Sequence, residues 1–113
     1  MITSVRRRPL RALLLIIVLL AAFGTVTALA ASSTVKVQDS FFSAKKLSIS
    51  RGASVTWTWK GALLHNVRVK SGPVKFSSSK KLHGTYSHRF TVRGTYKLYC
   101  TLHPDMTMTV VVR

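Results

Sequence analysis

The chain has 113 residues and carries 18 Lys and Arg against two acids, a formal charge of +16, so it is long enough for one small domain. Its two carboxylates, Asp39 and Asp105, are far apart in the sequence, which excludes a glycosidase carboxylate pair and any all-oxygen calcium or magnesium cage. The single cysteine, Cys100, excludes an internal disulfide and a Cys₄ or Cys₃His zinc site, so stability must come from a modest core or from a bound ligand.

The N-terminal segment has the pattern of an export leader. Arg6, Arg7, Arg8 and Arg11 form a basic region, and Ala12 to Ala31 then runs without a charge through an apolar stretch expected to be helical. Ala28-Leu29-Ala30 is an A-x-A site whose cleavage releases a chain beginning at Ala31. The competing reading is an uncleaved anchor, since residues 12–31 just reach the ~20 apolar residues that span a bilayer, with the arginines held inside. Residues 1–30 are therefore a signal peptide or a membrane anchor, and residues 31–113 form the domain. Both readings place that domain outside the cytoplasm, periplasmic, secreted or at the cell surface.

From Thr34 onward the sequence is rich in Val, Thr, Phe, Tyr and Trp, with Gly and Ser punctuation, and it reads as all-β. The expected strands are 34–38, 46–50, 54–59, 64–70, 85–90, 95–100 and 107–112. Seven strands suggest a sandwich or barrel. In Val55-Thr56-Trp57-Thr58-Trp59 the alternation puts both tryptophans and Val55 on one face, as core residues. The same period turns Tyr96, Leu98 and Cys100 inward. Residues 74–81 break the alternation and read as a solvated loop.

A free thiol in an exported protein needs a reason, and the residues after it supply one. Cys100, His103 and Met106 form a C-x₂-H-x₂-M run, and His65 opens an earlier strand. Two imidazoles, one thiolate and one thioether are the donor set of a trigonal His₂Cys copper site with a weak axial methionine. Three of these donors come from one loop, and His65 ties the site to a distant part of the chain.

With these residues the domain resembles the small blue copper proteins, the cupredoxins of the plastocyanin and amicyanin kind. The resemblance covers essentially all of the exported part. It is carried by Gly52-Ala53-Ser54-Val55-Thr56-Trp57, by His65-Asn66-Val67, by Gly94 through Pro104, by Met106 and by the closing Val110-Val111-Val112. The short Cys-to-Met spacing and the His103-Pro104 pair are most similar to amicyanin. The resemblance implies a Greek-key β-sandwich holding one copper ion, with His65, Cys100 and His103 in plane and Met106 axial. It implies that Asn66 bonds the cysteine loop from behind, that Leu102 and Pro104 form an apolar docking patch beside His103, and that Tyr99 marks a second electron route. Two features depart from the family pattern. Met106 is followed by Thr107-Met108 instead of a nearby glycine, which makes Met108 an alternative axial ligand, and Asp105 sets a carboxylate next to the site, read here as a solvated loop residue.

The remaining histidines, His83 and His88, have no matching partners and read as structural or surface residues. The function expected is single-electron transfer, without catalysis, by a monomer cycling Cu(II) and Cu(I). The alternative is copper storage, delivery or resistance with the same ligands. From Ala31 onward the charge is +12, from fourteen basic residues against the two acids. With no nucleic-acid motif, and with export, this basic surface points to acidic redox partners or an anionic membrane surface.

Overall fold

The computed structural model describes residues 31–113; the leader expected over residues 1–30 lies outside the described residues. Alternation shapes the strand at the centre of the first sheet. Over Ser54–Trp59, Val55, Trp57 and Trp59 are buried while the intervening threonines are half-exposed, because successive side chains of an extended chain point to opposite faces. This strand is the fourth of eight: β1 (Ser32–Gln38), β2 (Phe41–Phe42), β3 (Lys46–Ile49), β4 (Ser54–Trp59), β5 (Arg68–Ser71), β6 (Gly84–Arg89), β7 (Gly94–Cys100) and β8 (His103–Val112). Gly52, at φ 94°, makes the turn between β3 and β4 in a conformation that a side chain would strain.

The strands form two four-stranded sheets, β2-β1-β4-β6 and β3-β8-β7-β5, and the chain changes sheet at every connection from β2 to β7. The pairs β1–β4 and β3–β8 are parallel and the others antiparallel. No helix occurs among the described residues. The apolar faces of the two sheets close on Val35, Val55, Trp57, Phe90, Tyr96 and Leu98, all essentially inaccessible to water. At the centre, the Trp57 ring lies 6.2 Å from Phe76, 5.9 Å from Tyr86 and 6.5 Å from Phe90 between ring centroids, and its indole N–H donates to the Met108 sulfur at 3.4 Å. Such tilted aromatic contacts add to the area term of burial. The expected all-β sandwich is therefore the fold.

Four local expectations are corrected. Phe41–Phe42 forms an eighth, two-residue strand paired with Val37 and Gln38. The strand expected over 64–70 begins only at Arg68. His65, Asn66 and Val67 are buried in succession, so they do not alternate, and His65 exchanges backbone hydrogen bonds with Lys81 at 3.1 and 2.9 Å. The last strand begins at His103 instead of Thr107, which makes Asp105 an exposed strand residue and not part of a loop. Residues 74–81 are also less solvated than expected, since Phe76 packs on the core and Ser78 is buried, accepting the Val67 N–H at 2.9 Å.

Candidate metal centre

β7 ends at Cys100, a turn covers Thr101 and Leu102, and β8 opens at His103. The β7–β8 ladder shifts register between Tyr99 and Cys100 and then pairs Cys100 with His103, which brings their side chains to the same end of the sandwich. His65 reaches that end from the segment before β5. The Cys100 Sγ lies 3.9 Å from Nδ1 of His65 and 3.7 Å from Nδ1 of His103. The two imidazole centroids are 4.8 Å apart, and one donor atom from each of the three residues lies within 4.8 Å of the others. Cys100 and His65 are fully buried and His103 is half-buried.

These spacings fit a metal. With bonds of about 2.0–2.1 Å to imidazole nitrogen and about 2.3 Å to thiolate, as for zinc, trigonal angles put nitrogen and sulfur roughly 3.8 Å apart. Both observed separations are within 0.1 Å or so of that value.

Neighbouring groups hold the three donors in place. Asn66 Oδ1 accepts the Thr101 backbone N–H at 2.8 Å and its hydroxyl at 3.2 Å, joining the His65 segment to the turn after Cys100. The Asn66 backbone N–H donates toward the Cys100 sulfur at 3.5 Å, tying the thiol to the His65 segment. The Trp59 indole donates to the His65 carbonyl at 3.1 Å, anchoring that residue's backbone to β4. Such partners fix ligand orientation in metal sites generally.

Residues 29–113 match the family of copper-binding proteins of the plastocyanin/azurin kind. The chain belongs to that family. It is 39% identical over 112 residues to amicyanin-alpha of Methylorubrum extorquens, an alignment covering 82% of this chain and 92% of that protein. It is 33% identical over 115 residues to amicyanin of Paracoccus denitrificans, covering 82% and 88%. A solved structure of an oxidized amicyanin variant superposes with a TM-score of 0.65 at 29% identity, covering 79% of this chain and 87% of that one. The cupredoxin's cofactor is copper, and the His65, Cys100 and His103 donors are of the kind that suits it.

The two methionines occupy different surroundings within this cupredoxin. The β7–β8 ladder pairs Tyr99 with Thr107 and Leu98 with Met108, so Met106 lies at the Cys100 end and Met108 further into the sandwich. Met106 is buried and lines a hollow shared with His103, Leu102, Pro104, Asp105 and Ser40. Met108 is also buried, but its sulfur already accepts the Trp57 indole. Leu102 and Pro104 are exposed on either side of His103, and Tyr99 is half-buried beside a groove lined by Arg68, Lys70 and Lys75. His83 is exposed, while the His88 ring stacks on Phe76 at 3.7 Å between centroids, where burial lowers its pKa.

One residue at the centre was not singled out by the sequence. Asp39 Oδ1 is 3.0 Å from Nε2 of His65, and the same carboxylate accepts the backbone N–H groups of Ala62 and Leu63, each at 3.0 Å. The Ala62 N–H, then His65 and the Leu63 N–H, hold the Asp39 carboxyl down at about 2. The signal available in the sequence was scarcity, since Asp39 is one of only two acids in the chain.

Proposed function

We propose that this protein is an extracytoplasmic single-electron carrier in which Nδ1 of His65, Sγ of Cys100 and Nδ1 of His103, together with the Met106 thioether, would hold one copper ion. The observation that carries the reading is the convergence of two imidazole nitrogens on one thiol at 3.9 and 3.7 Å, on a buried scaffold. Bound copper supplies the one-electron couple. The chain supplies rigidity: Asn66, Trp59 and the β7–β8 pairing hold the donors in one arrangement, so little has to move when the charge at the site changes. His65 and Cys100 are sealed from water, whereas half-buried His103 reaches toward the surface and offers the way in for an electron.

The surface at this end suits docking. Leu63 and Leu64, just before His65, Leu82, just after the Lys81 that bridges to it, and Leu102, just before His103, are all exposed. Lys60, Lys80 and Lys81 flank these leucines in sequence, and this fits an acidic redox partner whose encounter is steered by charge and slowed by salt. With the family match behind it, the protein is read as a carrier and not as an enzyme.

Protein-film voltammetry tests the reading. A reversible one-electron couple is the expected result, and an irreversible or very slow one would favour copper storage or delivery by the same residues. Met106→Leu is expected to keep the colour and shift the potential, because an axial thioether bond is long and weak. Met108→Leu is expected to leave the potential nearly unchanged and to lower stability by about 1 kcal/mol through loss of the Trp57 contact. The reverse pattern would move the axial role to Met108.

A further inference from the structure

Asp39 sits at the tip of a two-residue turn between Gln38 and Phe41, which pair across β1 and β2, and the next residue, Ser40, is held at φ 71°, the left-handed region that costs a non-glycine residue free energy. The turn aims the carboxylate back at the Ala62–His65 segment. An ionised carboxylate only accepts hydrogen bonds, so the 3.0 Å contact places the imidazole proton on Nε2 of His65 and leaves the Nδ1 lone pair facing Cys100 and His103. The sequence opposite makes room for this. A Cβ at Gly61 would run into Asp39 Oδ1 and come within 2.9 Å of the Asp39 backbone nitrogen, so glycine at 61 is what allows the carboxylate to lie here. The chain's other acid, Asp105, is exposed and makes no hydrogen bond to either imidazole among the described residues.

Resting on the copper-site reading above, we infer that Asp39 is a positioning residue that holds His65 in the metal-binding tautomer and biases the site toward Cu(II). A carboxylate on the far nitrogen raises the basicity of the ligating one, and its negative charge stabilises the more positive oxidation state. Losing such a partner typically lowers metal affinity about 10–100-fold. If the loss falls on Cu(II) and spares Cu(I), each tenfold corresponds to a rise of about 59 mV in a one-electron potential.

The test compares midpoint potentials and Cu(II) and Cu(I) affinities of the full chain with those of Asp39→Asn, Gly61→Ala and Asp105→Asn. Asp39→Asn and Asp105→Asn remove the same charge. Gly61→Ala keeps the charge but displaces the carboxylate, and it carries the test if Asp39→Asn does not fold. The expected result is a raised potential in Asp39→Asn and in Gly61→Ala, at least tenfold weaker Cu(II) binding, unchanged Cu(I) binding, and a smaller shift in Asp105→Asn. Asp39→Asn and Gly61→Ala proteins that are folded, blue and unshifted, or shifted no further than Asp105→Asn, would overturn the role of Asp39 alone. A wild-type protein that never turns blue would instead overturn the copper-site reading, and this inference with it.

Discussion

Cys100→Ser is expected to fold and to lose the intense visible absorption of the copper-loaded protein completely. The band arises from charge transfer between thiolate and copper, and Cys100 is the chain's only cysteine. The substitution is nearly isosteric in a fully buried position, and the Asn66 N–H that faces the sulfur can donate to the serine oxygen, so the sandwich retains its packing. What changes is the linkage between metal and fold. At free copper 1,000 times Kd, binding stabilises a native protein by about 4.1 kcal/mol. In a domain of this size each kcal/mol raises Tm by roughly 4–8 °C. The wild type should therefore melt well above its apo form on copper addition, while Cys100→Ser should show a much smaller shift. Parallel spectra and melting curves with and without copper check both halves. A variant that stayed blue would remove Cys100 from the site.

The second large effect concerns the scaffold. Trp57→Ala is expected to cost about 3–5 kcal/mol, the range for truncating a large buried aromatic. Trp57 is fully buried on β4, its ring packs against Phe76, Tyr86 and Phe90, and its N–H is used by Met108. Domains hold about 5–15 kcal/mol in all, and a small one lies toward the low end, so the apo variant should be substantially unfolded at 37 °C. Trp57→Phe keeps most of the volume and should lose less than half as much. Denaturant titration measures the difference as a drop in midpoint at constant slope. A Trp57→Ala protein within 1 kcal/mol of wild type, or so by this scale, would mean that the contacts at the centre of the sandwich contribute little.

Legibility in the sequence followed the physics that governs each segment. β4 was readable to its ends, because Val55-Thr56-Trp57-Thr58-Trp59 alternates between a buried and a wetter face. The same holds for Tyr96, Leu98 and Cys100 on β7. β2 was not readable, since two residues cannot display a period, and it exists because Phe41 and Phe42 pair with the end of β1. His65 to Val67 were expected inside an alternating strand over 64–70, yet all three are buried together and tied to Lys81 and Ser78 by contacts that no local pattern announces. Cys100 and His103 were brought within reach of each other by nearness in sequence, and His65 stood out through its Asn66-Val67 neighbours. Asp39 is 26 positions from His65, and only the β1–β2 turn brings it there. Asp105 drew notice instead because it is close to His103 in sequence, although its exposed place on β8 leaves it without a comparable hydrogen bond among the described residues.

The central claim is that His65, Cys100 and His103 close around one copper ion. It is tested most directly by the visible spectrum of the purified protein during titration with Cu(II). An intense thiolate-to-copper charge-transfer band that grows linearly and saturates at one equivalent is the expected result. A colourless or merely pale product, with no such band at any ratio of copper to protein, would contradict it.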